Sequence, residues 1–205
     1  MVTQNILDQI IKHTIVPTMK NEEFKKSGKN FYKGLQELGW CLQLQSNKWN
    51  TIEQVEMRIN TGIFIPFLYE LEWKQPLPKF PKEYDCIGRK SVGELKSLKQ
   101  DYWYQIDTST DIDQLSQKIK NDLENTVLPY FEDYQTLHGV VEGIQNKKLS
   151  PGGFLNYAIL LAMIGEIETA KRLFEKEYKR TSYGSQRAVI KRISKELRIE
   201  LQLTK

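Results

Sequence analysis

Arginines set near tryptophans are what this chain most plainly offers a ligand. Arg58 and Arg89 fall in predicted strands, Trp49 in the loop of a predicted hairpin, and Trp103 in the aromatic stretch Tyr102-Trp103-Tyr104. A guanidinium stacks on aromatic faces and presents a fork of donors to a carboxylate or phosphate. Trp and Arg also dominate the hot spots of protein interfaces. Trp49, Arg58, Arg89 and Trp103 are therefore the binding candidates. A protein partner comes first, and an anionic small molecule near Arg58, Arg89 and Trp103 second. A structural role competes at each of them: Arg58 with Glu56 or a cross-strand neighbour, Trp103 as core.

Reacting groups are scarcer. There is no Gly-rich phosphate loop, no HExxH, no GxSxG elbow and no kinase signature. The two histidines, His13 and His138, lie at no ligand spacing from each other or from a cysteine. Cys41 and Cys86 belong to no CxxC motif and read as buried reduced thiols. Asp111 and Asp113 stand at a predicted helix start, where negative charge is favourable, so they read as capping. No catalytic residue, metal ligand or cofactor is assigned, and a non-enzymatic protein is expected. A nucleophile and base that meet only in space stay open.

Charge supplies a third candidate surface. Lys171 to Lys205 holds eleven Lys and Arg against four Asp and Glu, a net +7, while the rest of the chain carries 19 against 22, or −3. Arg172, Arg180, Arg187, Lys191, Arg192 and Lys195, with Lys171, Lys179 and Arg198, would receive a polyanion such as nucleic acid. Interspersed acids allow a simpler reading, a solvated helical face.

The elements that position these residues follow from periodicity. Val55, Met57, Ile59, Thr61, Ile63 and Ile65 alternate with Gln54, Glu56, Arg58, Asn60, Gly62 and Phe64, and Trp40, Leu42 and Leu44 alternate with Cys41, Gln43 and Gln45. Period two on both sides of the polar stretch 46–51 predicts an antiparallel hairpin with one buried face. A strand at 30–35 precedes it. An extended segment with Pro76, Pro78 and Pro81 leads on to strands at 84–89 and 102–106. Leu7, Ile11, Ile15 and Met19 stripe a first helix kinked near Thr14 by Pro17. Ile112, Leu115, Ile119, Leu123 and Val127 stripe a long helix capped at Thr110 and broken at Pro129, with helix continuing from Phe131 to Ile144. Thr14-Ile15-Val16-Pro17 and Thr126-Val127-Leu128-Pro129 share a form. Ser150 and Pro151 suit a helix start, Phe154 to Met163 is apolar nearly all round, and two amphipathic helices follow.

The fold expected is α+β. A mainly antiparallel sheet of about five strands, flanked by helices, fills residues 1–146, and a helical hairpin plus one helix fills 147–205. The N-terminal stretch lacks the pattern of a signal peptide, and no apolar run suffices to span a bilayer. The expectation is a cytoplasmic protein with no membrane contact.

Residues 5–131 resemble a bacterial domain-of-unknown-function family, the one numbered four-three-zero-four. The likeness runs through the kinked helix, Phe24-Lys25-Lys26-Ser27-Gly28-Lys29-Asn30-Phe31-Tyr32-Lys33, Gln43-Leu44-Gln45-Ser46, Ile59-Asn60-Thr61-Gly62-Ile63 and Tyr102-Trp103-Tyr104. It implies a sheet flanked by helices and carries no activity across. Residues 154–180 resemble a single tetratricopeptide unit through Gly165 and Ala170, although stacking needs about three such repeats. The function expected is a protein–protein interaction module, of the immunity or antitoxin kind. The alternatives are nucleic-acid binding on the basic helices, or an enzyme of unrecognised type acting on an anionic small molecule.

Overall fold

The computed structural model describes residues 2–203. Helix α1 (Val2–Ile10) passes through a π turn (Ile11–Ile15) into α2 (Val16–Asn21). Strands β1 (Lys25–Ser27), β2 (Asn30–Gly34), β3 (Gly39–Ser46) and β4 (Val55–Phe64) follow, then α3 (Pro66–Trp73). A 3-10 turn (Glu83–Asp85) leads to β5 (Ile87–Ser91), α4 (Val92–Leu95) and β6 (Tyr104–Ile106). Helix α5 (Ile112–Asp122) passes through a second π turn (Leu123–Val127) into α6 (Leu128–Glu132). The chain ends in α7 (Leu137–Gln145), α8 (Asn156–Met163), α9 (Ile167–Arg180) and α10 (Gly184–Glu196).

Two compact units result. One holds Met1–Phe64 with Pro78–Gln135, the other Ile65–Leu77 with Thr136–Lys205. The division thus falls about ten residues before the expected boundary at 146. Thr136 caps α7 by accepting the Gly139 N–H, so the helix expected over 131–144 is instead two, broken at 133–136.

In the first unit the sheet runs β1-β2-β3-β4-β5, antiparallel throughout, with β6 also paired to β4. Trp40 faces Ile63, Leu42 faces Thr61 and Leu44 faces Ile59 across the β3–β4 ladder. That face is dry: Leu42, Ile59 and Ile63 are fully buried, as are Leu7, Ile15, Ile119 and Phe131 from the helices. Trp40 stacks on Phe131 at 5.3 Å and donates its indole N–H to the Tyr134 carbonyl at 3.1 Å. Phe24 closes this aromatic group, 5.8 Å from Phe131.

Both π turns have the same cause. A proline lacks the N–H that an α-helix needs and its ring clashes with the preceding turn. Ahead of Pro17 the Val16 N–H bonds Ile11 O, and ahead of Pro129 the Leu128 N–H bonds Leu123 O. Each is a five-residue step that absorbs one extra residue and lets the helix continue. The shared Thr-x-x-Pro form therefore marks a shared backbone device.

Other departures are local. β1, a strand without counterpart in the sequence reading, is exposed at all three residues, and Gly28 (φ 58°) makes its turn. β5 begins at Ile87 rather than 84, because 83–85 is a 3-10 turn. Asp111, not Thr110, caps α5, accepting the Gln114 N–H at 2.9 Å. Helix α8 starts at Asn156 rather than near Pro151.

In the second unit α8 packs against α3, α7 and α9, and α9 against α10. Ile159, Leu160, Phe174 and Ile190 form its core. Gly165 (φ 86°) makes the α8–α9 turn, and Arg192 donates to the Leu71 carbonyl at 2.9 Å, tying α10 to α3.

A buried carboxylate knits three elements of the first unit. Asp122 accepts from Lys96 Nζ at 2.6 Å, Tyr104 at 2.8 Å and Tyr102 at 3.1 Å. Burial first, and the Asp122 charge second, push both phenols well above their ordinary range. Asp122→Ala should cost about 1–3 kcal/mol, as leaving the two phenols without their shared acceptor does, measured by urea unfolding. A phenol raised on folding contributes stability that is intact below its unfolded value of about 10 and is lost as pH rises through the folded value. The urea midpoint should therefore fall between about pH 9 and 11, and fall less in Tyr104→Phe.

Candidate functional site

The second face of the sheet is built by the same register. Gln45 faces Arg58, Gln43 faces Asn60, and Cys41 faces Gly62 on β3 and β4, while Asn60 faces Ser91 on β5. Two halves differ sharply. Toward Gly62 the face is covered, and toward Arg58 it is open and polar.

The cover is the segment leading into β5. Gly62 has no side chain, and the place where its Cβ would stand lies 2.5 Å from the Cys86 Cβ. Tyr32 lies over Gly39 in the same manner, with Phe80 edge-on to its ring at 6.1 Å. The extended proline stretch thus ends as a lid on the sheet. Cys41 and Cys86 are both free thiols and come together here, although 45 residues separate them. Burial pushes the Cys86 thiol up, and the neighbouring Cys41 adds to it.

The edge of this cover forms one wall of a cleft. Glu83, 5% exposed, accepts from Arg89 Nε at 2.7 Å and Nη2 at 3.1 Å, a two-point ion pair that raises the Arg89 guanidinium further. On the adjoining wall Ser91 caps α4, and its N–H and hydroxyl both donate to Glu94, at 2.6 and 2.8 Å. The Ser91 N–H holds the Glu94 carboxyl below its usual range, helped by the charges of Arg58 and Lys90.

Arg58 stands on the floor. Gln45 Oε1 accepts from Arg58 Nε at 2.9 Å and from Asn60 Nδ2 at 2.7 Å, so one amide oxygen fixes two neighbours. The Arg58 guanidinium lies 4.9 Å from the Trp103 ring centre and 3.7 Å from exposed Asp101. Stacking and a single hydrogen bond hold the guanidinium flat and spend only its Nε donor.

The resulting cleft has a volume of about 670 Å³, within the range of roughly 300–1,000 Å³ usual for ligand sites. Lys29, Arg58 and Arg89 line it with two carboxylates, Glu83 and Glu94, while Lys90 lines it from β5 with its ammonium turned to the Tyr130 ring, 5.9 Å away. Three hydroxyls line it: Ser46 accepts from Lys29 at 2.6 Å, Ser91 serves the cap, and Tyr84 is exposed. The arrangement suits the holding of a charged group.

Of the sequence candidates, Arg58 and Arg89 share this cleft and Trp103 backs Arg58. Trp49 does not line it. It is 75% exposed in the hairpin loop, with Lys48 over its ring at 4.9 Å. Arg187 and Lys191 both lie over the Tyr178 ring, at 5.2 and 5.3 Å. Arg180 pairs with Glu177 and Arg192 with Glu196, Arg172 donates to Thr169, and Lys195 stands in the last turn of α10. His13 lines a smaller cavity of about 250 Å³ beside Pro17 and Lys120, and His138 is exposed. Among the described residues no three metal-ligating side chains gather, and no helix is long and apolar enough to cross a membrane. Lys29, Glu83, Lys90 and Glu94 went unread as site residues. The Ser91-x-x-Glu94 capping spacing was a usable signal for the last of them.

These features define an α+β protein whose antiparallel sheet carries helices on one face and a cationic cleft on the open half of the other. The chain belongs to the family described as Domain of unknown function (DUF4304), whose model matches residues 15–133. That stretch contains every residue lining the cleft and ends two residues before the first compact unit does. No curated protein and no solved structure matches the chain.

Replacing Gln45 by Ala should leave Arg58 Nε and Asn60 Nδ2 without their shared acceptor. The expected cost is about 1–2 kcal/mol for partly buried donors, read from urea unfolding, with a change in Trp103 fluorescence as the guanidinium loses its tether.

Proposed function

We propose that this protein is a non-enzymatic binding module that takes a protein partner on the open polar half of its sheet. The observation that carries this reading is the floor of the cleft, where Arg58 is stacked on Trp103 and pinned by Gln45. An arginine ordered before binding loses little freedom on contact, which favours affinity. The surrounding carboxylates support binding over acid–base work, because Glu83 is engaged by Arg89 and Glu94 by Ser91. The position of the cleft, on strands rather than on mobile loops, suits a fixed recognition surface.

A second reading places a polyanion on α9 and α10, favoured by the two cations around Tyr178. The ion pairs of Arg180 and Arg192 count against it, since they neutralise part of that surface.

Tagged full-length chain should be purified from its own cells beside an Arg58→Glu, Trp103→Ala variant and an Arg187→Glu, Lys191→Glu variant. The expected result is a stoichiometric protein that elutes with the unchanged chain and with the helix variant, and is lost from the cleft variant. Nucleic acid that elutes with salt and disappears only from the helix variant would replace this reading by the second. Clean elution of all three forms would end it.

A further inference from the structure

Resting on the binding reading above, we propose that the group the partner places in the cleft is a phosphoryl group, held over Arg58 as its dianion. Charge is the first reason. Three cations, Lys29, Arg58 and Arg89, line the cleft, and a phosphate monoester brings them about −1.5 to −2 at pH 7 where a lone carboxylate brings −1.

Donor geometry is the second reason. Arg58 spends its Nε on Gln45 and turns its outer edge to exposed Asp101, a contact 3.7 Å long that a stronger anion displaces. Arg89 meets Glu83 through Nε and Nη2, which leaves Nη1 outside that pair. Lys29 reaches the rim through a bond to the Ser46 hydroxyl and keeps further ammonium protons to donate. Cations on the floor and on separate walls surround a tetrahedral oxyanion better than a planar carboxylate, whose two oxygens lie in one plane.

The test is a titration of isotope-labelled full-length chain with O-phosphoserine and, separately, with glutamate, followed by backbone amide shifts. Phosphoserine should saturate shifts confined to Gln45, Arg58, Arg89 and Ser91, about tenfold more tightly than glutamate at pH 7.5, as charge-assisted multidentate contacts predict. The preference should shrink near pH 5.5, where the phosphate falls to a monoanion because its second pKa is about 6. Arg58→Gln should abolish the response. Lys29→Gln, a rim change that leaves the floor intact, should weaken it severalfold. Equal binding of glutamate, shifts scattered over α9 and α10, or no saturable shift would each overturn the phosphoryl assignment. A partner that still depends on Arg58 in the purification above would then show that the binding reading stands and only the phosphoryl group was wrong. Loss of both would remove the two together.

Discussion

The β3–β4 ladder is the constraint on which the rest of the first unit depends. Eight residue pairs, from Gly39↔Phe64 to Ser46↔Met57, assign every side chain of both strands to a face. A slip of one residue would set Leu42 and Leu44 on the same face as Arg58 and Asn60, so that one strand or the other turned its apolar side chains to the open side. Core and cleft are thus two consequences of one register. The aromatic group of Phe24, Trp40 and Phe131 locks that register from the helical side, because the Trp40 indole has a single hydrogen-bond partner to satisfy it, the Tyr134 carbonyl.

The helices adapt to the sheet by the same means twice. Pro17 and Pro129 each follow a π turn, so neither proline ends its helix. The widened turns keep Ile15 and Val127, just before each proline, fully buried. Asp122 then stands immediately ahead of the second π turn, where it gathers Lys96, Tyr102 and Tyr104. Backbone irregularity and buried charge lie side by side, and both serve to hold α4, β6 and α5 together.

Much of the fold was legible because period two and helical stripes are local signals. The alternation through Val55, Met57 and Ile59 gave both the strand and its buried face, and the apolar run 154–163 gave α8. The site was less so, because its walls come from segments whose meeting is a tertiary fact. Arg58 and Trp103 could be paired as types, but nothing local showed that Gln45 would pin Arg58, or that Glu83 would rise from the proline stretch to grip Arg89. The cysteines were missed as neighbours for the same reason. Cap positions were displaced wherever Asp and Thr compete over a few residues, as at 107–111, where Asp107 gathers Ser109 and Thr110 and leaves Asp111 to cap the helix. β1 escaped notice because a three-residue edge strand that buries none of its side chains carries no hydrophobic signature.

The contact between Gly62 and Cys86 has a consequence for how this sequence can drift. With the Cys86 Cβ 2.5 Å from where a Gly62 Cβ would stand, the two positions share one side chain's worth of space. The Glu83 carbonyl stands 3.3 Å from the same point, so emptying position 86 alone would still leave a side chain at 62 pressed against the backbone of the lid. Glycine at 62 is what lets the segment 83–86 lie directly on β4, and any side chain there must displace the lid to find room.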